Sequence, residues 1–176
     1  MPFPVLIAVR RLIQAVVVGT TLHAACAVAL LALTITTPAA AQTGDAKVLT
    51  LSGARAMADA AEAEARRNNW NVAIAVVDAH GELIFFQKMD NVQQQSVDIA
   101  QAKARTAARM RRPTKALDDA VTGGRMALLA VDGVLPLEGG VPIIHNGVVI
   151  GAVGVSGVTS AQDAQVAAAG IRAVLP

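Results

Sequence analysis

The order of periodic segments along the chain predicts an α+β fold, an α/β sandwich in which helices pack against a five-stranded antiparallel sheet. Apolar residues recur at helical spacing in some segments, and they alternate or run continuously in shorter ones. Tight turns join the short segments, and strands joined by such turns pair antiparallel. The chain lacks the strand–helix alternation of a parallel nucleotide-binding sheet.

The first predicted helix begins at Ser52, which can cap it, and ends at residues 68–69, where two asparagines tolerate the left-handed conformation. The strand at residues 72–77 is apolar on both faces, and one face carries mostly small side chains. We therefore expect a helix to lie close over its alanines. A two-residue turn at residues 80–81 leads to a partner strand at residues 82–88.

Three more helices are predicted, at residues 96–111, 114–121 and 160–174. Pro113 separates the first two, because proline cannot continue a helix, and Thr114 is expected to cap the second. Thr159 and Gln162 have the spacing of a capping box at the start of the last helix.

Three further strands complete the predicted sheet, at residues 134–137, 141–144 and 148–155. An Asn146-Gly147 turn joins the last two. The segment from Gly139 to Gly157 is rich in glycine, yet the intervening residues are mostly apolar and β-branched. A flexible linker would carry polar residues there, so these glycines are expected to shape the sheet and to admit closely packed neighbours.

The first 41 residues are predicted to be a secretory signal peptide. Arg10 and Arg11 precede an apolar run at residues 12–35, which closes at Pro38 with three alanines. This run is long enough to cross a bilayer, so an uncleaved membrane anchor is the alternative. Cleavage after Ala41 predicts a periplasmic or extracellular protein with no membrane span.

Beyond the signal, residues 42–50 are interpreted as a tail and residues 51–176 as a single domain. Arg10 and Arg11 are the only charged residues of the signal, so the rest of the chain carries 13 basic and 13 acidic side chains. This balance argues against a nucleic-acid partner. The only cysteine, Cys26, lies in the signal, so the domain must be held by its core without disulfides.

Two patterns near the C-terminus resemble catalytic or cofactor motifs but do not match them. Gly151, Gly154 and Gly157 have regular three-residue spacing, which differs from the dinucleotide-binding fingerprint. Ser156 lies in the segment GVSGV, which differs from the nucleophile-elbow pattern G-x-S-x-G only at its last residue, and no histidine follows it. The sequence therefore assigns no catalytic residue.

Both histidines of the predicted domain, His80 and His145, lie at hairpin turns. A turn histidine is commonly a solvated polar residue, and the functional alternative is ligation of haem iron or another transition metal. Met89 offers a thioether or fills the core. A hard-metal cluster of Asp78, His80 and Asp90 is a weaker hypothesis, because its spacing follows no known ligand pattern.

Lys103 is unusual because it lies on the apolar stripe of its helix. Such a lysine either extends its ammonium group to the edge or places a fixed positive charge at the rim of a pocket. The second arrangement would receive a carboxylate. The backbone amides of residues 157–159, at the start of the last helix, form a second predicted anion site.

A series of motifs extends in order over nearly all of residues 50–174. They are residues 76–83 (VVDAHGEL), 89–90 (MD), 99–107 (IAQAKARTA), 113–114 (PT), 139–143 (GGVPI), 151–157 (GAVGVSG), Asp163 and 169–170 (AG). With these motifs the chain resembles the GlcG/HbpS-type haem-binding proteins, which share a domain with the C-terminal part of PduO-like proteins.

The resemblance implies a five-stranded α/β sandwich, profilin-like in architecture, that assembles into homo-oligomers. It also implies haem as the cofactor, and Lys103 is the cation that matches the family. The candidate iron ligands, from their chemistry, are His80, Met89 and His145, and Gly157 is a candidate ligand-binding residue.

The sequence thus predicts an exported haem-binding protein that sequesters or relays haem, with a membrane sensor or transporter as a candidate partner. One alternative is an enzyme that degrades haem with an external reductant, since the iron itself would carry the oxygen chemistry. Another is a small-carboxylate binding protein without haem, which would use Lys103 and the amides at Gly157.

Overall fold

The structure, a computed structural model, describes residues 47–175. The predicted signal at residues 1–41 therefore lies outside the described residues. Helices alternate with paired strands in the order α1 (Leu51–Arg67), β1 (Ala73–Asp78), β2 (Leu83–Lys88), α2 (Ser96–Met110), α3 (Thr114–Thr122), a 3-10 helix (Met126–Ala130), β3 (Gly140–His145), β4 (Val148–Ser156) and α4 (Ser160–Val174). The predicted α+β class is confirmed.

The strands form one antiparallel sheet in the order β2-β1-β4-β3, so two hairpins are joined through the pairing of β1 with β4. The predicted Asn146-Gly147 turn is confirmed, and both of its residues have a positive φ, 51° and 78°. The first turn was predicted too short, because four residues, 79–82, separate β1 from β2. Asp78 stabilises this longer turn, since its Oδ1 accepts hydrogen bonds from the amides of His80 and Glu82.

Helix α2 lies close over the face of the sheet that carries small residues, as predicted. Ala75 pairs with Gly154, which pairs in turn with Gly140, so these three residues share one face. A Cβ atom on Gly154 would lie 2.1 Å from the carbonyl oxygen of Ala100 in α2. The bulky side chains of the other face are fully buried and are covered by α1 and α4, which also pack against each other.

The sheet of the described residues has four strands, so the prediction of a fifth at residues 134–137 was wrong. The amide of Leu135 donates instead to Thr106 Oγ1 of α2, at 2.9 Å. Pro136 has no amide hydrogen to donate to a neighbouring strand. This segment is therefore tied to a helix rather than to the sheet, and the profilin-like description stays a prediction.

Helix boundaries agree closely with the sequence, but two caps differ. Thr50, not Ser52, caps α1 by accepting from the amide of Gly53. Thr114 is the first residue of α3 rather than its cap, and its hydroxyl group accepts from the amide of Gly140 in β3. The capping box at the start of α4 is confirmed. Among residues 47–175, no helix combines the length and hydrophobicity that a membrane span requires.

Candidate functional site

The residues singled out in the sequence lie at two opposite ends of the sheet. Both hairpin turns are at one end, which therefore carries His80 and His145. Lys103 and Gly157 lie at the other end, where β4 leads into α4. Met89 follows β2 and is buried in the hydrophobic core, in agreement with its interpretation as core filling. The structure thus separates the histidines from the predicted cationic site.

Lys103 is only 1% exposed and forms a buried ion pair with Asp163 of α4. Its Nζ donates to Asp163 Oδ2 at 2.8 Å and to the carbonyl oxygen of Val155 at 3.1 Å. Lys103 therefore does not extend to solvent. Its charge is fixed inside the domain, as one of the two sequence interpretations proposed, but a carboxylate of the same chain already neutralises it.

Asp163 also occupies the anion site that was predicted at the start of the last helix. Its Oδ1 accepts from the amide of Val158 at 3.2 Å. The amide of Thr159 donates to the side chain of Gln162, within the capping box. The amides of residues 157–159 were predicted to bind an external anion, but most of them are thus already bound by side chains of α4.

Burial raises the pKa of Asp163 above the ordinary value for an aspartate. The hydrogen bond and the charge of Lys103 act in the opposite direction, together with hydrogen bonds from the amides of Val158 and Gly157. The loss of hydration is the largest of these contributions, because it disfavours the charged form of a carboxyl group.

We expect a titration of the Asp163 carboxyl carbon by NMR to show a midpoint above about 3.9, the usual aspartate value. At pH values between the pKa of Asp163 in the unfolded chain and its higher pKa in the folded protein, the folded protein keeps a proton that the unfolded chain has lost. The contribution of Asp163 to the free energy of unfolding therefore decreases as the pH rises through this interval. The Asp163→Asn variant assigns the resonance, and a midpoint at or below the usual value would contradict the prediction.

Two consecutive glycines allow the ion pair to be enclosed. Gly139 has a φ of +128°, and a Cβ atom there would lie 2.6 Å from Lys103 Nζ. A Cβ atom on Gly140 would lie 2.3 Å from the carbonyl oxygen of Lys103. The glycines at the start of β3 are therefore required by close packing against the lysine and its helix.

A pocket of about 200 Å³ lies beside the ion pair. Its wall is formed by the segment before α2, the first turns of α2, the end of β4 and the first turn of α4, and it includes Gln93, Ser96, Lys103, Ser156, Ser160 and Asp163. Sequence reasoning did not assign Asp163 to a site, although a signal was present. Asp163 lies on the buried stripe of α4 with Val166, Ala167 and Gly170, as Lys103 does on α2.

At the opposite end of the sheet, the turn that carries His80 is held against α2. Arg109 Nε donates to the carbonyl oxygen of His80 at 2.8 Å, and the same guanidinium group pairs with Glu82 at 3.0 Å. A Cβ atom on Gly81 would lie about 3 Å from the side chains of both Arg105 and Arg109. The backbone of His80 is thus fixed on both sides, while its imidazole is exposed.

His145 ends β3 and is half-buried, and its Nε2 lies 3.4 Å from Asn146 Nδ2. The predicted cluster of Asp78, His80 and Asp90 is not formed, because Asp90 follows β2 at the other end of the sheet. Within residues 47–175, no group of three or more histidine, cysteine or acidic side chains is placed to hold a metal ion. A hard-metal site built from these residues was therefore a wrong expectation.

The family model described as "Haem degrading protein HbpS-like" matches residues 49–172. The chain belongs to this family. Its resemblance to GlcG and HbpS, expected from the motifs, is thereby confirmed. Protein GlcG of Escherichia coli K12 is 48% identical over 109 residues, which cover 62% of this chain and 81% of GlcG.

Two crystal structures show that the fold of this HbpS-like chain is shared with solved relatives. A double mutant of HbpS from Streptomyces reticuli superposes with a TM-score of 0.72 at 33% identity, covering 77% of this chain and 92% of that one. A PduOC:heme complex superposes with a TM-score of 0.67 at 28% identity, covering 73% of this chain and 96% of PduOC.

Proposed function

We propose that this HbpS-like protein binds haem at the hairpin-turn end of its sheet, with His80 as the iron ligand. The description of its family and the haem complex of the related PduOC support haem as the ligand. The observation that carries the assignment is the turn itself, which holds the backbone of His80 at both sides and leaves the imidazole exposed.

The residues around His80 fit the chemistry of haem. An imidazole nitrogen is a common axial ligand of haem iron. Arg105 and Arg109 pack beside Gly81. The guanidinium group of Arg109 already pairs with Glu82, so Arg105 is the candidate partner for a propionate. Leu83, which begins β2, is 47% exposed and offers apolar surface to the macrocycle. When bound, the iron would supply the redox chemistry, and these side chains would hold and orient it.

The histidine at the second turn is the matched control for this assignment. Haemin titrated into the wild-type protein is expected to give a saturable Soret band. His80→Ala should weaken binding at least about tenfold, because an axial ligand is lost. His145→Ala should leave the affinity nearly unchanged. An unchanged titration of His80→Ala would overturn the ligand assignment, and the absence of a saturable band would overturn haem binding altogether.

Oxidative degradation of haem is the second candidate function, and the description of the family favours it. It requires a reductant and dioxygen from solution. Adding ascorbate to the haem complex in air separates the two candidates. Loss of the Soret band with release of a bilin product would indicate an enzyme, whereas a stable band would indicate a binding protein.

Export and self-assembly complete the proposal. The predicted signal at residues 1–41 supports export to the periplasm, where the protein would sequester haem or relay it to a membrane sensor or transporter. Exposed apolar side chains at Met126, Leu129 and Val131 support association of copies. N-terminal sequencing of the secreted protein and light scattering would test the two points. A retained signal or a monomer would contradict them.

A further inference from the structure

The pocket beside Lys103 and Asp163 is a second candidate ligand site, at the end of the sheet opposite His80. Its polar wall contains three side chains that are at least nine-tenths buried yet have unused hydrogen-bonding capacity. Lys103 is 1% exposed and uses two of its three N–H groups. Ser96 and Ser156 are 3% and 6% exposed and line the pocket. Their hydroxyl groups are open to that space, since no fully enclosed side-chain oxygen or nitrogen of residues 47–175 lacks a partner.

Hydroxyl groups that are nearly buried but open to a pocket form their hydrogen bonds to water or to a ligand in that pocket. The free groups here converge on one space, since Lys103, Ser96 and Ser156 all line the same pocket. An ammonium N–H can only donate, and a hydroxyl group can donate as well as accept. The pocket therefore calls for a molecule with acceptor oxygens.

The size of the pocket restricts that molecule. Its volume of about 200 Å³ lies below the roughly 300–1,000 Å³ of pockets that take drug-sized ligands. A porphyrin is far too large for this space. The pocket thus suits a ligand of a few non-hydrogen atoms, and it is distinct from the haem surface proposed at His80.

The charges around the pocket favour an acceptor that is negatively charged. The Lys103 ammonium contributes one positive charge, and the N-terminus of the 15-residue helix α4 adds about half a positive charge. Asp163 supplies the opposing negative charge, and its two oxygens already accept from Lys103 and from the amide of Val158. The pair is neutral as a whole, but the third N–H of Lys103 belongs to an ammonium group, and charge-assisted hydrogen bonds to an ionised acceptor are the stronger ones.

We propose that this pocket binds a small monocarboxylate, whose oxygens accept from the third N–H of Lys103 and from the hydroxyl groups of Ser96 and Ser156. Ser160 and Gln93, at the pocket wall, provide further donors. The site is independent of haem, so the protein would combine a large ligand at one end of its sheet with a small acid at the other.

Acetate and its uncharged analogue acetamide are suitable probes, followed by the amide resonances of residues 156–158 in the wild-type protein. Acetate should give saturable shifts, and acetamide should bind about tenfold more weakly or not at all because the charge assistance is lost. Ser156→Ala should weaken acetate binding about tenfold, as expected for one hydrogen bond to a charged group. Ser52→Ala, an exposed serine of α1, is the matched control.

Three outcomes would overturn the proposal: shifts that do not saturate, equal affinities for acetate and acetamide, or unchanged acetate binding by Ser156→Ala. Haemin titration of Ser156→Ala is expected to match that of the wild type. Acetate binding by His80→Ala should likewise be unchanged. A failure of the small-acid site and a failure of the haem site are therefore distinguishable.

Discussion

Replacing Lys103 with methionine is expected to lower the free energy of unfolding by about 3–5 kcal/mol. Methionine has a similar length, so most of the packing is kept and mainly the charge is removed. Asp163, which is 2% exposed, then loses its ionic partner and keeps only the hydrogen bonds from backbone amides. Urea unfolding of the two proteins at neutral pH measures the difference.

The control for this substitution is Lys115→Met in α3. Lys115 also pairs with an aspartate, Asp119, at 2.8 Å, but both side chains are more than half exposed. Water screens that pair, so its loss should change the stability little. The double variant Lys103→Met with Asp163→Leu should be more stable than Lys103→Met alone, because no uncompensated charge is left in the core. Equal, small effects of the two lysine substitutions would contradict the buried pair.

Gly154→Ala is expected to destabilise the domain by about 3 kcal/mol or more, at the upper end of the cost of overpacking a core. The added Cβ atom would lie 2.1 Å from the carbonyl oxygen of Ala100 and 2.4 Å from the amide nitrogen of Ala104. Both are backbone atoms of α2, so no side chain can move aside, and the whole helix must shift away from the sheet. Thermal or urea unfolding measures the loss.

Gly53→Ala in the first turn of α1 provides the comparison. A Cβ atom at Gly53 would approach only the side chains of Leu49 and Thr50, at 3.3 and 3.4 Å. Alanine favours a helix over glycine by about 0.5–1 kcal/mol, so this variant should be as stable as the wild type or slightly more stable. If Gly154→Ala behaved like Gly53→Ala, the close contact between α2 and β4 would be refuted.

Much of the fold could be predicted because its signals are local. The Asn146-Gly147 pair specifies a tight turn through the backbone freedom of its two residues, and Thr159 with Gln162 specifies a helix start. The alternation of alanine with bulkier residues in β1 correctly indicated a helix close over one face. The prediction of a fifth strand was wrong because an apolar pattern does not show which group accepts the hydrogen bonds of the backbone amides. Thr106 of α2 accepts from Leu135, and that contact crosses 29 residues.

The candidate site was predictable only in part, for a related reason. The position of Lys103 on an apolar stripe showed that its charge required an explanation, and Asp163 carried the same signal on the last helix. Neither stripe shows which acidic residue pairs with which basic residue. The two histidines, conversely, looked equivalent in sequence because both are at turns. The packing of Arg109 and Arg105 against the first turn, and the greater exposure of His80, distinguish it from His145.

Apart from the supposed fifth strand, the sequence alone determined the family, the order of helices and strands, and the turn that closes the second hairpin, because these depend on motifs and on residues a few positions apart. Tertiary structure alone decided that Lys103 and Asp163, 60 residues apart, neutralise each other. It also decided that the helix terminus expected to receive an external anion is filled from within. An ion pair of this kind forms only once the sheet has brought α2 and α4 to the same end of β4. Burial then makes it costly to leave either charge alone.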